Sequence, residues 1–578
     1  MKLVEILKRN RELALTLPGD KYRVAVISNV TVNQFKEILE FTLRTDGLKA
    51  EVIIGDFDAI VQDSARFAES NAVLVFWEAG NLIDGFHNNA ELFSEGNLDE
   101  LARQVEGAMD LVLRNLNHTP LVLLNRFSSA LFNSNPLQEG ALQKMCRRLN
   151  LALESKVEAN QIVVDLDAVL AEVGLSTAAD MRQFISAKTL YSVEFFRAYA
   201  EVVKPAFMAV TGRAKKILVL DCDNTLWGGI LGEDGTEGIH LSDATPQGKA
   251  YREAQAVFRS LRNEGVLLAL CSKNNPSDVE KLLREHPDMV VKEHDLVAQK
   301  VNWQDKATNL REIAAELNIG LDSFILVDDS SFEIGLIQKE LPQVTCVQVP
   351  QNLSEYPARM RELRRAFFSL SRTDEDQRKT EMYRQEKLRK EEASVYTSTE
   401  DYLATLKLKL TFTWSPHIPV ARAAQMSQKT NQFNLTTRRY SEGDIQRMLD
   451  DSFYKLATFS VADRHGDYGV SGMIIIQQDR NDPRRAVIDS LLMSCRVIGR
   501  NVERVFFDEL IRILPSMGIV HLRGEYLPTT KNSQVQQFYP ALGFELITQT
   551  EKRCEYQLAL TNYRPSGIQY IEKHQLSI

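Results

Sequence analysis

The stretch LVLDCDNTLWGG, residues 218–229, sets Asp221 and Asp223 one residue apart, directly after an apolar β-type run and ahead of two glycines. Carboxylates at a strand end repel one another and lose water unless a cation sits between them. Further along, LALCSKNN ends an apolar run in Ser272, VNWQDKATNL carries Lys306 at the start of a helical pattern, and ILVDD ends in Asp328 and Asp329. Open α/β sheets place ligands at the carboxyl ends of their strands. Acid pair, hydroxyl, lysine and second acid pair therefore point to one sheet edge, and the chemistry they suit is phosphoryl transfer. A hard Mg²⁺ ion prefers oxygen ligands, with carboxylates from Asp221, Asp328 and Asp329 and the backbone carbonyl of Asp223. Asp221 is the candidate nucleophile on phosphorus, and Asp223 the acid that protonates the leaving oxygen and then activates water. Ser272 and Lys306 would hold phosphoryl oxygens and offset their charge. Thr225 and Asn274 are candidate substrate-binding residues.

These groups need strands to position them. YRVAVISNVTV, EVIIGDF, AVLVFWEAGN, TPLVLLNRF and NQIVVDLDAV are apolar strand patterns separated by helical ones. Such alternation predicts a parallel, doubly wound sheet over residues 1–207. KKILVLDCD, VLLALCS, MVVKEH, SFILVDD and TCVQVP predict a second set over 208–365. A charged stretch, Arg372–Ser394, reads as part of a solvated helical connector over 366–399. A third domain, 400–578, holds KLKLTFTW, GVSGMIIIQQD and RAVIDSLLMS, then the helix NVERVFFDELIRIL. The fold class is α/β in three domains. With 578 residues the chain is too long for one core, and a net charge of −9 argues against non-specific nucleic-acid binding. The six cysteines show neither metal-ligand spacing nor a disulfide framework. The start of the chain lacks a signal peptide's apolar core, and no run reaches a membrane helix's length, so a cytoplasmic, membrane-free setting is expected.

The second domain's four motifs resemble those of the haloacid dehalogenase superfamily, most of whose members are phosphatases. Neither the interval after Gly229 nor that between Asn275 and Lys306 has room for a cap domain, so the site should be open. In the third domain, RVIGRN (496–501) follows a strand and opens a helix. It resembles the pyrophosphate-cradling loop of the GNAT acyltransferase fold, and KNSQVQQFYPALGFE resembles a later segment of that fold. The resemblance implies substrate-binding roles for Arg496, Gly499, Asn532 and Tyr539. Cys495, beside the loop and flanked by Arg496 and Arg500, is a candidate acyl acceptor. Asp463 and His465 offer a possible base. In KTNQFNLTTRRY, Arg438 and Arg439 suit either a turn or a phosphate.

DCDNTLWGGILGEDG, KTNQFNLTTRRY and MSCRVIGRNVE together resemble the FkbH-like family, subfamily IIIC of the haloacid dehalogenase superfamily. That resemblance implies dephosphorylation of a phosphorylated acyl donor such as 1,3-bisphosphoglycerate. It also implies loading of a glyceryl group on the phosphopantetheine thiol of an acyl carrier protein. Where members read DDNPxER, this chain reads DDSSFEI. The first domain resembles an SGNH hydrolase, with Ser28, Asn29 and Asn81 at strand ends. It lacks that fold's closing D-x-x-H histidine, so a docking or scaffold role is expected. A thiol could take the acyl group directly or through Cys495. Two other readings stay open: a plain phosphatase on a sugar or carrier-bound phosphate, and a non-catalytic adaptor binding a carrier or acyl-CoA.

Overall fold

The computed structural model describes residues 3–576 except 133–134, 136, 371–372, 394, 397 and 530. By compactness the chain divides into two units, Met1–Val210 with Tyr440–Asp444, and Thr211–Arg439 with Ile445–Ile578.

The first unit is built on five parallel strands: β1 (Tyr22–Ser28), β2 (Ala50–Ile54), β3 (Ala72–Phe76), β4 (Val122–Asn125) and β5 (Gln161–Val164). They lie in the order β2-β1-β3-β4-β5. Their runs are apolar on both faces because helices such as Glu95–Asn115 and Val193–Val210 cover the sheet. Ser28 ends β1 and Asn29 follows it, and both are buried. Asn29 exchanges hydrogen bonds with the backbone of Glu78 and Asn81, and the Ser28 hydroxyl accepts from Val30 N–H at 3.0 Å. These polar groups close the strand ends rather than face a ligand.

The second unit holds two sheets. One is again all parallel: β6 (Ile217–Leu220), β7 (Leu267–Ser272), β8 (Leu296–Val301), β9 (Phe324–Asp328) and β10 (Thr345–Gln348). The order is β10-β9-β6-β7-β8. The chain starts in the middle, builds outward through β7 and β8, then returns to β9 on the other side of β6. The β6/β9 boundary is therefore the topological switch point, where a crevice opens at the carboxyl edge. In register, Leu220 faces Val327, and Asp221 N–H donates to the Val327 carbonyl at 3.0 Å.

One expected strand is displaced. MVVKEH (289–294) is not extended into the sheet; β8 forms from the following LVAQKV. The buried Gln255 carboxamide oxygen accepts both Val290 and Val291 N–H, at 2.9 and 3.0 Å. A side chain thus satisfies that backbone, and Val291 enters the core without a ladder.

The other sheet has nine strands: β11 (Leu408–Trp414), β12 (Phe433–Asn434), β13 (Tyr454–Asp463), β14 (Gly466–Gln478), β15 (Arg485–Met493), β16 (His521–Tyr526), β17 (Glu545–Gln549), β18 (Cys554–Ala559) and β19 (Ile571–Leu576). The main path runs β17-β18-β16-β15-β14-β13-β11-β19, antiparallel except for β15/β16 and β11/β19. The parallel pairing of β15 with β16 stops after Ile488 and Gly524, so the two strands splay. β12 fills that wedge, pairing antiparallel with Leu492 and Met493 of β15. Leu435 N–H donates to the Leu491 carbonyl at 3.2 Å, and Leu527 N–H to the Leu435 carbonyl at 2.9 Å.

The connector is a helix, Asp374–Ala393. It is not simply solvated, as its composition suggested. Met382, Tyr383 and Arg389 are buried, and Arg389 makes a two-pronged ion pair with Asp463 at 2.7 and 2.8 Å. Alternating charge on a helix reads as surface, but paired charges can be buried together.

Candidate active site at the carboxyl edge of the parallel sheet

Three segments bring this cluster together. Asp221 leaves β6 at the switch point, and Asp328 is the last residue of β9. Lys306 is the first residue of the helix Lys306–Leu317, whose cap Asp305 accepts from Thr308 N–H at 2.8 Å. This fixes the start of the helix and directs Lys306 inward. Its ammonium lies 2.9 Å from Asp221 and 2.5 Å from Asp328. Lysine therefore supplies the cation that the paired acids demand.

One lysine does not balance the cluster. Asp221, Asp328 and Asp329 each offer a carboxylate oxygen within 4.8 Å of the others. Burial, then the charge of Asp221, pushes Asp328 up to about 6. The same two causes raise Asp329. Burial opposes the Lys306 charge, but Asp221 and Asp328 outweigh it and hold the ammonium protonated above the usual lysine range. Three hard carboxylates against one ammonium leave negative charge that a divalent cation would neutralise, so the donor set fits Mg²⁺.

Asp223 is kept apart from this cluster. Its carboxylate accepts from the Trp227 indole at 2.9 Å, Leu231 N–H at 3.1 Å and the Asn274 amide at 3.0 Å. Trp227 is fully buried, so its single N–H is aimed by packing. Despite three donors, burial raises the Asp223 pKa. A carboxyl whose proton affinity is raised by burial, with donors fixing its orientation, is suited to acid–base work. The turn that returns from Asp223 uses Gly229 at φ +96°, where a Cβ would lie 2.6 Å from the Asp234 carboxylate.

Ser272 ends β7 and is buried, against the Cys222 thiol. Thr225 is fully buried, and its hydroxyl has no partner among the described residues. Cys222 faces the core, where burial drives its thiol well above the usual range. Sequence reasoning missed the Lys273–Glu333 ion pair, at 2.7 Å. Glu333 lies in the first turn of the helix Ser331–Glu340, and only the fold brings it to Lys273.

The loop of the third domain is arranged differently from its sequence expectation. Cys495–Val497 form one tight turn after β15, Gly499 takes φ +84°, and Asn501 takes φ +61° before the helix Val502–Ile513. Arg500 is ion-paired with Glu386 of the connector and stacks on Tyr468, its guanidinium carbon 4.5 Å from the ring centre. Asn532 is fully buried: its amide donates to the Asn434 and Leu527 carbonyls at 2.9 and 3.0 Å, tying β12 into the wedge. Tyr539 is buried among Phe538, Phe544 and Tyr556. Neither faces an opening. Arg438 pairs with Asp489 and Glu525, and Arg439 donates to the Ser427, Gln428 and Thr430 carbonyls. These arginines clamp the chain, which is the turn reading of that run. Asp463, taken by Arg389 and the Tyr468 hydroxyl, serves as an anchor and not as a base. His465 lies 3.1 Å from Glu392. Cys495 and Arg496, by contrast, line a cavity.

No protein-family model matches this chain, and no curated protein does. Solved structures do. The N-terminal part of a Bacteroides fragilis protein, containing a phosphatase domain and complexed with Mg, covers 64% of this chain and 100% of its own at TM-score 0.56 and 23% identity. Over that part the chain shares that structure's fold. A putative acetyltransferase of the GNAT family from Desulfovibrio desulfuricans aligns with 26% of this chain, at TM-score 0.22 and 12% identity. The ribosomal-protein-S18-alanine N-acetyltransferase of Escherichia coli aligns with 28%, at TM-score 0.21 and 15% identity. Neither of these two bears on what the third domain does. Among the described residues, no helix is long and apolar enough to cross a membrane.

Proposed function

We propose that this chain is a Mg²⁺-dependent phosphohydrolase coupled to acyl transfer. It removes phosphate from a phosphorylated acyl donor, 1,3-bisphosphoglycerate or a close analogue, and delivers the glyceryl unit to the thiol of an acyl carrier protein. The single observation that carries the phosphohydrolase half is the Asp221–Lys306–Asp328–Asp329 cluster, with Asp223 held apart by Trp227, Leu231 and Asn274. The Mg complex of the Bacteroides structure supports the choice of ion.

Asp221, Asp328, Asp329 and the Asp223 carbonyl would hold Mg²⁺, which supplies charge neutralisation for the phosphoryl oxygens. Asp221 attacks phosphorus, and the P–O bond to the leaving group breaks. Asp223 delivers a proton to that oxygen, giving an alcohol and an aspartyl-phosphate. Asp223, now ionised, takes a proton from water, which attacks phosphorus and frees Asp221 and phosphate. Lys306 and Ser272 hold the oxygens in both steps. For acyl transfer, the Cys495 thiolate attacks the acyl-phosphate carbonyl. The C–O bond to phosphate breaks, and the thioester passes to the carrier thiol by a second exchange.

A specific observation favours a narrower reading of the third domain. The splay between β15 and β16 is filled by β12, and Arg500, Asn532 and Tyr539 are committed to internal contacts. This supports transfer through Cys495 and argues against a CoA-dependent acyltransferase. The test is intact mass of a phosphopantetheinylated carrier incubated with the protein, Mg²⁺ and 1,3-bisphosphoglycerate generated in place. A glyceryl adduct, lost in Cys495→Ala and absent or still phosphorylated in Asp221→Asn, is the expected result. Mg²⁺-dependent phosphate release without an adduct would leave a plain phosphatase. The absence of both signals would overturn the proposal.

A further inference from the structure

A second concentration of charge lies at the opposite edge of the same parallel sheet. Lys216 immediately precedes β6, and residues 318–323 precede β9, so they mark the amino edge. Asp221 and Asp328 mark the carboxyl edge. At roughly 3.3 Å per strand residue, Lys216 and Asp221 are about 16 Å apart along the chain. At the amino edge is a cavity of about 340 Å³. The connector gives it Lys379 and Tyr383, and the third domain Arg422, Cys495 and Arg496. The Cys495 sulfur lies 3.8 Å from the Tyr383 hydroxyl.

The cavity wall carries six cationic side chains against three carboxylates. Two pairs are internally neutral: Lys429 with Asp376 at 3.2 Å, and Lys531 with Asp322. The other cations have weaker partners. Lys216 donates to the Lys429 carbonyl at 2.8 Å and Lys379 to the Gly265 carbonyl at 3.1 Å. Arg422 donates to the Gln425 carboxamide oxygen and to the Val470 carbonyl, the latter at 3.2 Å, has Glu375 at 3.9 Å, and its Nε is buried without an acceptor. Arg496 donates to the Ser494 hydroxyl at 3.3 Å and to Met382 sulfur. Neutral oxygens, a sulfur and one distant carboxylate leave these four cations in positive excess.

We propose that this cavity is a phosphate-recognition site, which seats a small phosphorylated molecule on Lys216, Lys379, Arg422 and Arg496 with its other end at Cys495. Burial pushes Lys216 down to about 8 and Lys379 down to about 7, so both ammonium groups gain from an incoming anion. Arginine and lysine together offer the charge-assisted donors that phosphate takes. The volume suits a small ligand, at the low end for small-molecule pockets. The phosphate has two possible sources, the acyl donor or the carrier's pantetheine arm. The placement of Cys495 rests on the acyl-transfer reading above; the anion site does not.

The test is calorimetric titration of the full chain without divalent cation, with 3-phosphoglycerate in one arm and pantetheine 4′-phosphate in the other. Binding in either arm, weakened about ten-fold or more by Lys216→Met and Arg422→Met but not by Asp221→Asn, is expected. The arm that binds names the source. Lys216→Arg and Arg422→Lys keep the charge and should keep most of the affinity, which separates charge loss from misfolding. The ligand should also slow alkylation of Cys495 by iodoacetamide, read by peptide mapping. Binding should persist in Cys495→Ala even if acyl loading fails, so the two readings fail separately. Absence of binding in both arms, or binding untouched by the lysine and arginine variants, overturns the proposal.

Discussion

The indole N–H of Trp227 donates to the Asp223 carboxylate across 2.9 Å, from a ring with no exposed surface. The ring cannot turn away, so Asp223 is held facing the crevice by packing as much as by polarity. Replacing Trp227 by Phe keeps the ring and removes the donor. Phosphate release by Trp227→Phe should fall about ten- to hundred-fold in kcat with KM little changed, since one hydrogen bond to a charged group is worth roughly 1.5–3 kcal/mol. Steady-state phosphate assays on both proteins check this.

Lys306 is the neutralising cation of the acidic cluster when no divalent ion is bound. Lys306→Met should lose about two to three orders of magnitude in phosphate release, the scale of removing one oriented charge-stabilising donor. It should also melt at lower temperature, because three carboxylates then repel without relief. Mg²⁺ should raise its melting temperature more than that of the wild type, since ion binding replaces the lost charge. Thermal melts with and without Mg²⁺ decide the point.

Asp463 and Arg389 form a buried two-pronged pair. Burial alone would raise the Asp463 pKa, but Arg389 outweighs it and the net shift is downward. A carboxyl lowered by folding contributes stability above its unfolded pKa of about 3.9, and that contribution is lost as pH falls through the folded value. Asp463→Asn should therefore cost about 3 kcal/mol at pH 7, the cost of stranding a buried charge. The gap to wild type should close below about pH 4. Denaturant titrations at both pH values measure it.

Asn532 ties β12 to the loop after β16 through two donated hydrogen bonds. Asn532→Ala should destabilise the second unit by about 2–3 kcal/mol, leaving buried carbonyls unpaired. Mg²⁺-dependent phosphate release at low temperature should be unchanged. A loss of acyl loading without loss of stability would instead restore Asn532 to a substrate contact.

Much of this was legible where one short stretch carries its own reason. DCD after ILVL, and VDD after SFIL, announce a strand end that needs a cation, and both lie at the switch point. β8 was not legible, because Gln255, more than thirty residues earlier, takes the amides that MVV would have given to a ladder. β13 was missed because YKLATFSVAD interleaves threonine and serine with its apolar positions. Asn532, Tyr539 and Arg500 matched a motif in type and spacing. Burial and ion pairing decide whether such groups face a ligand, and those depend on the connector and on β12. The cation-lined cavity draws on six separate stretches and has no local signature.

The six residues from Lys216 to Asp221 run into and along a strand held on both sides by parallel neighbours, so that interval cannot shorten. On the function proposed above, a free molecule altered at one edge and required at the other would pass through solvent. Passage between the edges is then a race between recapture and dilution. An unlabelled pool added in mid-reaction should compete with the labelled unit, and the share retained measures how fast the second edge recaptures what the first lets go.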